Sequence, residues 1–191
     1  MKKDLRVIKT DRNIKNSFIK LLQNKSFEAV TVQDILDEAM INRTTFYNHF
    51  SSKYDLAENL ASEMLGKFDQ ALNIRFDSPD INNDIFEKIN KIGKILSENH
   101  HVILAMWDVY TETVHLYEDM ISLLRSRVQT ILNASASEFQ LELAVSNLMT
   151  MLRRILTDKD ADAINLHLEV ISFFETYLLP KACGRYFANG K

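Results

Sequence analysis

The chain has 191 residues, 46% of them hydrophobic and 9% aromatic, with a formal net charge of −3; this apolar content excludes a disordered chain and is enough for a core. Only four glycines and two prolines interrupt it, which excludes a many-turned β architecture and predicts an all-α fold of long helices with short connections. The single cysteine, Cys183, has no internal partner, and the sequence shows neither a charged-then-apolar leader nor a long apolar run, so a reducing cytoplasm without a membrane span is expected.

Charge is unevenly spread. Residues 1–27 hold eight basic residues (Lys2, Lys3, Arg6, Lys9, Arg12, Lys15, Lys20, Lys25) against Asp4 and Asp11, a net +6. Continuing to Asp55 leaves +3, and residues 56–191 carry −6. A basic front on an acidic body would orient the molecule on a polyanion. An ordinary solvated helix face explains the same lysines, and the motif that follows them favours the first reading.

In chain order, Ile14, Phe18, Leu21 and Leu22 form one helical stripe from about Lys9 to Gln23, with Asn24–Phe27 as its exit. Thr31-Val32-Gln33-Asp34 reads as a capped helix start, and Val32, Ile35, Leu36 and Ala39 then share a face. Met40-Ile41-Asn42 breaks the pattern, and Asn42 caps a short helix from Arg43 in which Phe46 and Phe50 point to the first helix. Arg43, Thr44, Thr45, Tyr47, Asn48 and His49 are left over the remaining surface, uncharged or basic throughout. Ser52-Lys53-Tyr54-Asp55 opens a long helix carried by Leu56, Leu60, Met64, Phe68 and Leu72, which Asp77-Ser78-Pro79-Asp80 ends.

Beyond it, Ile85 to Leu96 predicts one helix, Val102 to about Tyr110 another, and Tyr117 to Ile131 a further long one. Ser137-Glu138-Phe139-Gln140 is a capping-box start to a helix reaching Leu156, with Leu141, Ala144, Leu148, Leu152 and Ile155 on one stripe and Leu143, Met149 and Met151 elsewhere. A last helix, about Asp160 to Leu179, is apolar on two faces. Such a helix needs two covers, most simply a second subunit, the alternative being a wholly intramolecular core. About nine helices are expected in total.

Two helices joined by a three-residue turn have the geometry of a helix-turn-helix, whose second helix lies in a DNA major groove. Here the chain closely resembles the TetR family of bacterial transcriptional regulators, through Thr31, Ile35, Ala39, Ile41, Arg43, Thr45, Phe46, Tyr47, His49, Phe50, Lys53 and Leu56 at the family's spacing. The similarity covers roughly the first third of the chain. It departs at Met40, where the family usually has glycine, and at Asn42, where a serine or threonine cap is frequent; Met40 implies strain or an altered turn.

The resemblance implies a three-helix DNA-binding head, residues 1–55, and a helical ligand-binding and dimerisation domain, residues 56–191. It implies a homodimer paired through the last two long helices (about 137–156 and 160–179), a palindromic double-stranded operator, an unidentified small-molecule effector, and repression as the default. It also nominates Gln33, Arg43, Thr44 and Asn48 for base edges, and Thr31, Thr45, Tyr47, His49 and Lys53 for phosphates. For Tyr47 and His49, half-buried packing is the other reading. A co-regulator working through a protein partner is the alternative function, kept open by Met40 and the acidic body.

Phe86, Met106, Trp107, Tyr110, Tyr117 and Met120 fall in the middle helices, where relatives hold their effector, and are nominated for a pocket between the long linking helix and the helix of Tyr117. Each would serve equally in a core. His100 and His101 are adjacent and diverge by about 100° on a helix, so they form no metal clamp, and His115 and Cys183 add no ligand spacing. No cofactor, metal or enzyme is expected, since no carboxylate is joined to a nucleophile, histidine or phosphate loop in a catalytic motif.

Overall fold

The computed structural model describes residues 5–76, 85–132 and 137–158, together with residues 165, 166, 169 and 172. Among the described residues there are seven helices and no strand: α1 (Leu5–Leu22), α2 (Val32–Ala39), α3 (Arg43–Tyr47), α4 (Lys53–Phe76), α5 (Ile85–Trp107), α6 (Leu116–Leu132) and α7 (Glu138–Thr157). The all-α expectation holds, and the count of nine does not. The helix expected from Asp160 to Leu179 lies outside the described residues, and the two expected over 85–110 are one.

That fusion has a local cause. Ser97-Glu98-Asn99-His100-His101 is polar enough to resemble a break, yet it contains neither glycine nor proline and can continue a helix. Asn99 donates to the Ile95 carbonyl at 2.7 Å and accepts from Lys67 Nζ of α4 at 2.7 Å. The polar residues therefore face a partner helix and do not mark a loop. After Trp107 the chain turns on Thr111, whose hydroxyl accepts from the Thr113 and Val114 amides, and Thr113 is tied to Glu58 near the start of α4.

The three helices of the head are fixed by their ends. Thr31 and Asp34 form a reciprocal capping box on α2: the Asp34 amide donates to Thr31 Oγ1 at 3.1 Å and the Thr31 amide to Asp34 Oδ2 at 2.8 Å. At the other end, the Met40 N–H reaches Asp37 O and the Ile41 N–H reaches Leu36 O, the paired bonds of a Schellman turn. Met40 occupies its left-handed position at φ 52°. Asn42 then caps α3 by accepting from the Thr45 amide at 2.7 Å. Asn13 of α1 donates to the Ala39 carbonyl at 2.7 Å, so the first helix also seals the end of the second.

One contiguous core runs from Ile14 to Leu156. Phe18, Ile35, Phe46 and Leu56 are fully buried within its head portion, Met106, Leu116 and Met120 within its body portion. α4 joins the two, packing on α5 and α6, while α7 packs on α5 and α6. The 55/56 boundary expected from sequence thus falls inside α4. Along α7 the most buried stripe is Leu141, Val145, Met149, Leu152 and Leu156, one position round from the expected one; Ala144, Leu148 and Ile155 are half-buried beside it. Phe139 and Leu143 on α7 are exposed, at 71% and 45%. No helix among the described residues is long and apolar enough to cross a membrane.

Candidate nucleic-acid interface

The short α3 turns its two phenylalanines inward. Phe46 is fully buried and Phe50 nearly so, with ring centroids 6.1 Å apart. That anchorage leaves Arg43, Thr44, Tyr47 and Asn48 exposed together. The side chains of Arg43, Thr44 and Asn48 have no hydrogen-bond or ionic partner among the described residues, as suits groups able to meet base edges. Tyr47 is 47% exposed and stands edge-on to Phe46 at 5.4 Å, which orients its hydroxyl end outward from a packed ring.

The other nominated residues are more committed to the protein itself. Thr31 uses its hydroxyl in the α2 cap, donating to Asp34 Oδ2 at 2.8 Å. Gln33 is exposed but donates to Asp37 at 2.8 Å. Thr45 is half-buried. His49 is half-buried too, with Nδ1 3.9 Å from Asp11 of α1, so its packing role is realised alongside any contact it makes outside.

Lys53 departs most from its sequence assignment. Its ammonium donates to the carbonyls of Phe27, Glu28 and Val30 at 2.8, 3.1 and 2.8 Å, and lies 4.6 Å from the Phe27 ring centroid. An ammonium has three N–H donors, and here all three are engaged. Lys53 therefore closes the turn between α1 and α2. Spacing shows the lysine, but only folding brings residues 27–30 beneath it.

The same inward commitment runs through the basic front. Lys15 pairs with Asp11 and Glu63, Lys20 with Glu38, and Lys25 with Asp34. Hydrogen bonding from Lys25 and from Thr31 holds the Asp34 carboxyl down at about 2. Burial works to raise the pKa of Glu63, but the lysines at positions 67 and 15 outweigh it and the net shift is downward. Lys9 and Arg12 stay exposed on α1 without such partners, flanking the Asp11 that faces His49. Sequence reading counted these two in the basic run without singling them out; their i, i+3 spacing was the available signal.

Residues 19–60 match the family model described as bacterial regulatory proteins, tetR family, a stretch that begins within α1, takes in α2 and α3, and ends in α4. Over that stretch, under a quarter of the chain, it is similar to the DNA-binding segment of TetR-type regulators. A solved TetR transcriptional regulator from Streptococcus agalactiae 2603V shares the fold of this chain, with a TM-score of 0.56 and 22% identity over 88% of this chain and 94% of that one. No curated protein matches. Within the matched stretch the helix-turn-helix is α2 and α3, and the Met40 turn keeps the Schellman geometry without a glycine.

Of the six residues nominated for a pocket, Trp107 meets both Met120 and Tyr117, and Tyr110 packs elsewhere, on His115. Met106 and Met120 are fully buried core residues, and Trp107 Nε1 points at Met120 Sδ, 3.4 Å away. Trp107 and Tyr117 meet edge-to-face at 5.1 Å and line a recess of about 340 Å³ with Arg153. Tyr110 is 66% exposed against His115. The side chain of Phe86 lies outside the described residues. His100 and His101 stand edge-to-face at 5.4 Å, and no group of three or more metal-ligating side chains occurs among the described residues.

Proposed function

We propose that this protein is a TetR-type regulator, a cytoplasmic repressor that binds a roughly palindromic operator as a homodimer and releases it when a small molecule binds the body. The observation that carries the reading is the α3 surface, where Arg43, Thr44, Tyr47 and Asn48 are exposed together over a buried Phe46. Such a helix fits the major groove: arginine suits guanine, an amide suits adenine and a threonine methyl suits thymine. Thr31, Gln33, Thr45 and His49 surround that surface and would fix its register, with Lys9 and Arg12 as added phosphate candidates.

Exposure of Phe139 and Leu143, four apart on α7, supports a second subunit covering that helix. The two heads would then be spaced by the dimer, and α4, which begins under the head and ends in the body, would carry effector binding to the heads.

A gel shift of the purified protein on DNA flanking its own gene tests the reading. Arg43→Ala should relax sequence preference and weaken operator binding by about 1–3 kcal/mol, whereas Arg12→Ala should weaken all DNA alike and flatten the salt dependence. Unchanged operator affinity and preference in Arg43→Ala would refute the groove assignment. A second reading, a co-regulator acting through a protein partner, is favoured by the exposure of Met40 at 93% in the turn and by the internal pairing of Lys15, Lys20 and Lys25. Retention of a heterologous subunit by a protein that shifts no DNA would select it.

A further inference from the structure

Where the end of α5, the first turn of α6 and the last turn of α7 converge, a recess of about 340 Å³ opens to solvent. It is lined by Leu104, Trp107 and Asp108, by Tyr117, and by Arg153 and Thr157. The recess falls within the size range of small-molecule sites, about 300–1,000 Å³. Trp107 and Tyr117 are half-buried and meet edge-to-face at 5.1 Å, and the Arg153 guanidinium lies over the Trp107 ring, 5.7 Å from its centroid. That stacking uses the charge of the guanidinium and leaves its N–H donors free.

Two opposite charges line this recess, and neither is answered. Asp108 and Arg153 are exposed, no ion pair joins them, and neither side chain has a hydrogen-bond or ionic partner among the described residues. The other described arginines of α6 and α7 are paired, Arg125 with Glu138, Arg127 with Asp69 and Arg154 with Asp158. A carboxylic acid in the recess would set its charge against Asp108, and an amine against Arg153. A zwitterion answers both, with its carboxylate forked onto the guanidinium and its ammonium on the aspartate. The aromatic pair supplies a third contact, because a further ring can pack on Trp107 and Tyr117 in the offset or edge-on arrangement that aromatic groups favour.

We propose that this recess binds a free amino acid with an aromatic side chain, its carboxylate on Arg153, its ammonium on Asp108 and its ring against Trp107 and Tyr117. The turn after α5 carries the consequence. Thr111 closes that turn from within, and Thr113 donates to Glu58 near the start of α4. An occupant seated between α5 and α6 therefore bears on the end of α4 that lies under the head. This names the chemical class of the effector in the reading above, and rests on that reading for its regulatory consequence only.

Trp107 is the chain's only tryptophan, so its fluorescence reports on this recess in the full chain. Titration with phenylalanine, 3-phenylpropanoate, phenethylamine and glycine tests the site. Phenylalanine should bind about fivefold more tightly than either singly charged analogue, the upper range for one exposed ion pair, and more tightly than glycine, which has both charges and no ring. Arg153→Gln should erase the margin over phenethylamine, and Asp108→Asn the margin over 3-phenylpropanoate. Arg154→Gln, which removes a neighbouring charge outside the recess, should change neither. All three positions lie on or beside exposed helix ends, and circular dichroism should show the parent's helical content in each variant. The site is refuted if glycine or a singly charged analogue binds as tightly as phenylalanine, if Arg153→Gln and Asp108→Asn leave the margins in place, or if phenylalanine does not bind at about 10 mM, the weak limit for one small ligand. A protein that binds phenylalanine yet holds its operator in a gel shift keeps the site and loses the effector reading, and one that binds phenylalanine but shifts no DNA overturns the regulator reading alone.

Discussion

The head and the far end of the body are built on opposite plans along the same helix. Around the start of α4 almost every polar group is closed: Thr31 with Asp34, Asn42 over α3, Asn13 on the end of α2, and Lys53 on three carbonyls. Around its end, apolar walls leave a recess of about 130 Å³ between α4, α5, α6 and α7. The difference teaches where rigidity is needed. A helix of five residues, Arg43–Tyr47, is far too short to hold itself, so its position depends on caps and on two buried rings. The distal body has open space between its helices, and such interiors change packing more readily than filled ones.

The widest test of this contrast is Phe46→Ala. Phe46 is fully buried beneath α3, and its loss should destabilise the protein by about 4 kcal/mol in urea denaturation. By comparison, Leu152→Ala, which removes a side chain already lining that recess, should cost only about 2–3 kcal/mol, the low end for such truncations. If Leu152→Ala costs as much as Phe46→Ala, the two ends are equally well packed and the contrast fails.

Next in size is Lys53→Met, which leaves three carbonyls without their donor and should cost about 2 kcal/mol. A phosphate-contact role would instead leave stability alone and reduce the salt slope of DNA binding, so urea midpoints and salt titrations on one variant separate the two. Met40→Gly should act the other way. Glycine takes the left-handed position without a Cβ penalty, and the turn should gain about 1 kcal/mol, read as a raised thermal midpoint; no gain would mean that the turn holds Met40 without strain.

The smallest effect concerns Asp34, whose carboxyl sits at about 2 against an ordinary value of 3.8. Because folding lowers this pKa, the ionised form stabilises the native head. That contribution is fully present above about pH 4 and is lost as pH falls through about 2. Urea midpoints of the parent should therefore fall more steeply than those of Asp34→Asn between about pH 4 and 2. Parallel curves would show that the cap at Thr31 is not fixed by the carboxylate.

What could be read from the sequence was what depends on neighbours along the chain. Thr31 and Asp34, Asn42, Phe46 and Phe50, and Ser137 with Gln140 are spaced three or four apart, so the helix they cap or anchor follows from helical geometry alone. The turn was legible even with Met40 in it, because the bonds from Met40 and Ile41 to Asp37 and Leu36 need only backbone groups. The polar run Ser97–His101 misled for the opposite reason. Its residues can continue a helix, but the partner that its Asn99 faces, Lys67 of α4, lies some thirty residues away.

The exposed surface of α3 was therefore determined by sequence: burying Phe46 and Phe50 on a helix fixes which residues face out. Tertiary structure alone decided that Lys53 serves the protein's own backbone, that Lys15, Lys20 and Lys25 are answered by carboxylates, and that Arg75 lines an apolar recess. Each of those facts is a meeting of groups distant along the chain. Charge and hydrophobicity are properties of a residue, but whether a cation is satisfied, or an apolar surface covered, is a property of what folding places beside it.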